Sequence, residues 1–340
     1  MAVYNIAAVY LNYYKLMKQA IHLLETLKHG GAENVAYNYA KVLSNLGVSS
    51  TFVAMDSSAE YKRMLQEQGI CIEQQITGSL LDSTDYVFIH SSKNLFRLLP
   101  YIRKLKRRKT RVVYIQHLFY SEVKFRILSI LINWLCTDFI RITPITEKIV
   151  GKYIKIPVSF IVNFYMAKYS RDAYADIRKQ VRDELNLPQQ QTVVMFSAVF
   201  RKGKGLEDCL ELAGMLSDNN NIIFLVVGDG PESYLLDEYK GSNIIRIGFI
   251  NDVERYLIAS DIYFFPSKYK KEMLPMALVE AVDTDTAILA VKNTITDFVL
   301  DGLTYSELED AYKSLVEKCC PSGFTHYDEA YAKSMLEKLL

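Results

Sequence analysis

The chain has 340 residues, more than the roughly 250–300 at which a single hydrophobic core stops growing, so two domains are expected. Half of its residues are hydrophobic and 40 basic side chains balance 39 acidic ones, which excludes a disordered chain and a globally nucleic-acid-binding one. Five cysteines with no CxxC spacing and one adjacent pair, Cys319 and Cys320, make neither a zinc pattern nor a secreted disulfide framework, and point to a reducing cytoplasm.

The first nineteen residues lack a cationic start and an evident cleavage site, and are too short and tyrosine-rich for a membrane span. Met17-Lys18 followed by AIHLLETL reads as the start of a strand-first Rossmann-like domain, leaving residues 1–16 as an appendage. From Ala20, apolar runs alternate with amphipathic, helix-length segments: Ala32 to Leu46, SSTFVAMD, Ala59 to Gln68, DYVFIHSS and TRVVYIQH. This βα succession predicts a parallel sheet over residues 17–167. The polar run MAKYSRDAYADIRKQVRDELNLPQQQ is expected to connect it to a second such domain, 168–324, with a terminal helix in 325–340.

Between the first strand and helix stands HGGAEN. Gly30-Gly31 allows either a tight βα turn or close approach of the backbone to a ligand at a helix N-terminus. His90 and His117 end strands, where a histidine either packs as a hydrogen-bonded structural group or meets a ligand. Lys93 to Arg111 holds nine basic residues and no acid, and FRILSILINWLC follows, with the single tryptophan, Trp134. That pair reads either as a solvated helix beside a core helix, or, through residues 93–136, as a surface for an anionic membrane; no nucleic-acid recognition motif accompanies the charges.

In the second half, TVVMFSAV runs into FRKGKGLEDCLELAGML, where Arg201 and Lys204 beside Gly203 and Gly205 could clamp a diphosphate. It is not a Walker A loop. NIIFLVVGDGPE places Gly230 in a βα turn, and IIRIGFIND ends at Phe249 and Ile250. The stretch PSKYKKEMLPMALVEAV follows the buried strand IYFF and carries Glu272 and Glu280 with seven residues between them. Leu274 precedes a proline and Pro275 suits the first position of a helix, so Glu272 is expected in the loop and Glu280 in the helix. The N–H groups of Met276 and Ala277 would then open the helix as an anion site.

The order of these pieces, KG, GDGPE, GF, PS and E-x7-E, resembles the retaining glycosyltransferases of the GT4 family. The resemblance covers most of residues 17–305. It implies an α/β protein of two Rossmann-like domains (GT-B) facing each other across a cleft. In that family the first Glu lies near the donor sugar, the second holds the ribose, and amides between them meet the diphosphate. The resemblance therefore gives Glu272, His117 and Lys204 catalytic roles. It places Gly31, Arg201, Lys204, Gly230, Phe249, Ile250, Leu274, Met276, Ala277 and Glu280 around the donor. Val199 stands where the family has an arginine, so Arg201 takes that place only if the loop is shorter, and Phe164 replaces the glycine of the turn after Asn163.

The resemblance implies sugar transfer from a nucleotide sugar to a saccharide or lipid-linked acceptor in cell-surface polysaccharide or glycoconjugate synthesis, on the cytoplasmic face of the membrane. No cofactor or metal is expected, because no Asp-x-Asp stands at a suitable strand end and cations and helix N-termini would stabilise the leaving diphosphate. Two alternatives share the scaffold: a nucleotide-sugar epimerase, and a non-catalytic nucleotide-sugar-binding partner of a glycosyltransferase pair.

Overall fold

The computed structural model describes residues 18–28, 30–269, 272–284, 286–300, 304–317 and 329–340. The expectations for residues 1–16, for Cys319 and Cys320, and for the start of the terminal helix lie outside them. The chain divides into two α/β units, one running to Phe164 and taking in Asp328–Leu340, the other covering Tyr165–Tyr327.

In the first unit the strands are β1 (Lys18–Leu23), β2 (Val48–Val53), β3 (Cys71–Glu73), β4 (Tyr86–Ile89), β5 (Arg111–Gln116), β6 (Asp138–Arg141) and β7 (Val158–Phe160). They pair in parallel in the order β3-β2-β1-β4-β5-β6-β7. Helices α1 (Gly31–Asn45), α2 (Ala59–Glu67), α3 (Gly78–Asp82), α4 (Ser92–Leu98), α5 (Ile102–Arg108), α6 (Glu122–Leu135) and α7 (Glu147–Tyr153) connect them. β4 is buried along its whole length, as a strand covered on both faces must be. Leu24, Ala36, Ala40, Phe52 and Tyr61 make one of the unit's two cores, and Ile21, Val87, Leu95, Tyr114, Phe125 and Phe139 belong to the other. The terminal helix, Glu329–Leu339, packs on this unit at the amino end of its strands: the Leu340 carbonyl accepts from the Tyr86 hydroxyl at 2.6 Å, and Arg111 donates to the Leu339 carbonyl.

The second unit repeats the plan with β8 (Thr192–Val199), β9 (Ile222–Asp229), β10 (Ile244–Gly248), β11 (Ile262–Phe265), β12 (Ala287–Val291) and β13 (Thr304–Tyr305), all parallel, in the order β10-β9-β8-β11-β12-β13. Its helices are α8 (Tyr174–Glu184), α9 (Leu206–Met215), α10 (Tyr234–Glu238), α11 (Val253–Ala259), α12 (Met276–Asp283), α13 (Thr294–Val299) and α14 (Leu308–Val316). In each sheet the strand order reverses beside the first strand, between β1 and β4 and between β8 and β11. Open α/β sheets bind ligands beyond the carboxyl ends of the strands at such points.

The polar run read as a connection is largely an element of the second unit. α8 buries Ile177 and Val181 against Ile258 and Ala259 of α11, and the run is polar because Asp176, Lys179, Gln180, Asp183 and Glu184 face solvent. From α8, Arg182 reaches the amino end of the sheet fully buried. Its guanidinium donates to the carbonyls of Ala259, Pro188, Gln189 and Gln191 at 2.9–3.0 Å and to the Asp261 carboxylate at 2.6 Å. The same carboxylate accepts from the Val193 amide at 2.7 Å and from Arg178 at 2.6 Å.

Candidate active site

The loop after β8 and the loop after β11 flank the second unit's reversal point, and the structure brings together the residues singled out in them. Lys204 pairs with Glu272, both largely shielded, at 15% and 20% side-chain exposure. The other Glu272 oxygen accepts from the Ser267 hydroxyl at 2.8 Å. Arg201 and Lys204 both lie over the Tyr269 ring, at 4.5 and 5.4 Å from its centre, so one aromatic ring gathers the two cations. Arg201 and Lys204 thus share one tyrosine, while Val199 ends β8 half-exposed.

Two glycines make this arrangement sterically feasible. Gly205 caps α9 at φ +90°, and a Cβ there would sit 2.5 Å from Pro266. Gly230 has φ +155°, and a Cβ would meet the Phe200 carbonyl at 2.5 Å. The GDG turn is thus pressed under the basic loop, with the Phe200 amide donating to the Asp229 carbonyl at 2.9 Å.

α12 begins one residue later than the sequence implied. Pro275 is the N-cap, with extended ψ of 129°, and Met276 is the first helical residue, because the Pro275 carbonyl already accepts from the Leu278 and Val279 amides. The amides of Met276 and Ala277 open the helix and have no carbonyl inside it to meet. Glu272 lies in the loop and Glu280 in the helix, 8% exposed. Tyr263 of β11 lies within electrostatic reach of both acids: burial, then the carboxylates of Glu280 and Glu272, push its phenol well above the ordinary value. Its hydroxyl shares a hydrogen bond of 3.2 Å with Ser197. Phe249, half-exposed, and Ile250 follow β10 at the same carboxyl edge.

In the first unit, Gly31 is the first residue of α1 and exposed, and Gly30 is extended at φ −157°. Neither has a left-handed backbone, and a Cβ on Gly31 would meet nothing within 4 Å. The steric demand of this turn falls on Gly30, where a Cβ would run into the Glu33 carboxylate, and not on Gly31. His117 follows β5 and bonds through Nε2 to Nδ1 of His90 at 3.0 Å; His90 Nε2 in turn meets His22 Nδ1 at 3.1 Å. Burial pushes His22 down to about 3 and His117 to about 4, and burial with help from these two neighbours lowers His90 well below the ordinary value.

The basic flank differs from its sequence reading in two respects. Lys93, Lys104 and Arg111 are taken up by Glu25, Asp82 and Asp138, because those carboxylates lie on adjacent elements. The apolar run is neither wholly core nor wholly surface. α6 buries Phe125, Leu128, Ile132 and Leu135, and exposes Val123, Ile127, Ile130 and Trp134. Arg103, Lys106, Arg107, Arg108 and Lys109 remain exposed, with Lys106 5.3 Å from the Trp134 ring centre.

Sequence reasoning missed Tyr269, Ser267, Tyr263 and His22. The first two stand inside the stretch that carries the acids, and their spacing along an irregular loop gives no signal. Among the described residues there is no cluster of three side chains suited to a metal ion.

Two parallel sheets with the 3-2-1-4 order, each with loops gathered at a reversal point, define a GT-B fold. Residues 177–301, which lie in the second unit, match the family model described as glycosyl transferases group 1. A lipopolysaccharide 1,2-N-acetylglucosaminetransferase of Salmonella typhimurium is 29% identical over 174 residues, 46% of this chain and 44% of that protein, so the match spans less than half of the relative's length. Among solved structures, Anabaena HepE in complex with UDP and glucose superposes with a TM-score of 0.69 at 16% identity, covering 94% of this chain and 92% of that one. A glycosyltransferase from Rickettsia africae gives 0.68 at 12% identity, over 95% and 94%.

Proposed function

We propose that the protein is a retaining, metal-independent glycosyltransferase that moves a sugar from a nucleotide donor to a saccharide or lipid-linked acceptor in the synthesis of cell-surface glycans. The observation that carries this reading is the meeting of Lys204, Arg201 and Glu272 on Tyr269, in the two loops that flank the reversal point of the second sheet. Two cations and the open end of α12 can take the charge that grows on a departing diphosphate, the task a metal performs in other transferases. Glu272, held by Lys204 and Ser267, is positioned to orient the sugar. Glu280 is placed to hold the ribose hydroxyls, and Phe249 and Ile250 to meet the base. In the first unit, Gly31 and His117 stand where an open α/β sheet takes a ligand, and we assign them to substrate recognition there.

The ligands of the Anabaena HepE complex, UDP and glucose, make a uridine nucleotide sugar the first donor to try. A panel of nucleotide sugars is screened by thermal shift, since a ligand that binds the folded state raises the midpoint. The stabilising donor is then incubated with the protein and candidate acceptors. A new glycosidic product supports transfer; an isomerised sugar nucleotide in its place would establish an epimerase, and product formed only with a second protein present would make this chain a partner subunit.

The exposed stripe on α6 supports attachment to the cytoplasmic leaflet. Val123, Ile127, Ile130 and Trp134 are spaced by four, three and four residues, so they share one helix face, and five exposed basic residues accompany them. No described helix is long and apolar enough to cross a membrane. As the single tryptophan, Trp134 reports on this face directly. Its emission should shift to the blue with anionic vesicles and return as salt is added; a shift that ignores salt contradicts the electrostatic part.

A further inference from the structure

Three histidines from three neighbouring strands form one hydrogen-bonded file in the first unit. His22 lies in β1, His90 follows β4 and His117 follows β5, the strands on either side of that sheet's reversal point. The ring nitrogens point at one another in sequence, at 3.1 and 3.0 Å, rather than converging on a point, so the geometry is that of a chain of donors and acceptors and not of a metal centre. The histidine rings lie edge to edge with nearly parallel planes, 27° apart for His22 and His90 and 16° for His90 and His117, and the face of His22 rests on Phe88 at 5.0 Å between ring centres. His22 and His90 are buried and His117 is partly exposed, so the file has a closed end and an open one.

The closed end is the informative one. Nε2 of His22 is buried with no hydrogen-bond partner, among the rings of Phe52 and Phe88. A neutral imidazole carries one N–H and one bare nitrogen, so the file has two neutral states, differing in which way every N–H points. In one, His22 keeps a proton on Nε2 and buries an N–H with nothing to receive it. In the other, Nε2 is a bare lone pair and His22 Nδ1–H donates to His90 Nε2, His90 Nδ1–H donates to His117 Nε2, and His117 is left with its proton on Nδ1. An orphaned N–H costs more in such surroundings than an orphaned acceptor, and the second state wins.

We propose that His22 and His90 are positioning residues that fix the tautomer of His117, so that it presents Nδ1–H as a hydrogen-bond donor to a ligand oxygen at the carboxyl edge of the sheet. Because no residue in the file can change tautomer without the others, His117 is locked as a donor by a side chain two rings away. The inference rests on the transferase reading and deepens it: the ligand oxygen is a hydroxyl or phosphoryl oxygen of a substrate taken at that edge of the first sheet. The lock itself is a property of the protein alone.

The test is long-range nitrogen–proton NMR of the ligand-free, histidine-labelled protein at pH 7.5. The expected result is the Nδ1–H tautomer at His117 and at His22. Finding Nε2–H at His117 overturns the proposal. His22→Phe fills the aromatic slot but removes the donor, and should release His117 to a mixture of tautomers. His22→Asn restores an N–H near the position of Nδ1 and should bring back the single form; if His117 is unchanged in His22→Phe, the lock does not exist. Turnover is then compared in the same variants: a fall of about tenfold in kcat in His22→Phe, recovered in His22→Asn, links the lock to the reaction. A locked tautomer in a protein that transfers no sugar would leave this inference standing and remove the transferase reading, whereas transfer by a protein without the lock would do the reverse.

Discussion

Lys204 and Glu272 are 68 residues apart in sequence and meet because β8 and β11 are neighbours: each residue sits in the loop that leaves one of these strands. The pair is held from both sides, Glu272 by the Ser267 hydroxyl and Lys204 by the face of Tyr269. Replacing Lys204 by alanine is expected to lower kcat by about a hundredfold, the usual cost of losing one preorganised charge-stabilising group, with a smaller effect on donor affinity. Equal losses in kcat and affinity, read from turnover and calorimetry, would reduce Lys204 to a ground-state binding group.

Glu280 is buried on α12, where an unsolvated carboxylate persists only with strong partners. Glu280→Ala should weaken nucleotide binding by roughly 1.5–3 kcal/mol if the ribose hydroxyls bond to the charged group. Calorimetry with UDP tests this; unchanged affinity in a folded variant removes the assignment.

Two glycine substitutions should have opposite signatures. Gly205→Ala forces a side chain into a left-handed backbone and against Pro266, and is expected to cost about 2 kcal/mol or more of stability. Gly31→Ala meets nothing and enters a helix, so its stability should hold or rise by about 0.5–1 kcal/mol while activity falls if a ligand approaches that backbone. Urea midpoints and turnover of the two variants separate the effects.

The histidine file predicts a pH dependence of folding. The folded-state values of His22 and His117 are lowered to about 3 and about 4 by burial, below the ordinary 6.5. Above pH 6.5 these groups are neutral folded or unfolded and contribute nothing to the slope. As the pH falls below 6.5 the unfolded chain takes up protons that the folded one refuses, and each histidine removes about 1.4 kcal/mol per pH unit until its folded value is reached. Urea unfolding of the first unit should thus be flat between pH 8 and 6.5 and weaken from 6.5 to 5. His22→Phe should reduce that slope by one proton, and an identical slope would show that His22 is protonated while folded.

Much of this was legible in the sequence where a local pattern carries the information. IYFF is a four-residue strand buried throughout, and TVVMFSAV is a strand over its full length, since uninterrupted apolar runs between turn residues have few other solutions. β3 and β13 were missed because edge strands of two or three residues show no period. The two acids of the E-x7-E stretch fall on either side of the helix start as their spacing implies. What a linear pattern could not supply is partnership across strands. Nothing in the spacing of His22, His90 and His117 says that they will touch, and nothing marks Tyr269 as the surface on which Arg201 and Lys204 converge. Position, by contrast, was readable, because Gly, Pro and apolar periods act over a few residues.

The buried guanidinium of Arg182 has a bearing on chemistry that takes place at the far end of the strands. β8 and β11 pair through Val194–Ile262 and Met195–Tyr263, a ladder too brief to fix by itself how far one strand slides along the other. Arg182 and Asp261 settle that offset from below, by clasping the chain just before β8 and just before β11. Since Lys204 and Glu272 ride on the opposite ends of these strands, their relative height is gauged at the base of the sheet. A lysine at position 182 could keep the charge but not the fork of donors. Its mark would be a misalignment of the two loops, seen in catalysis before any loss of fold.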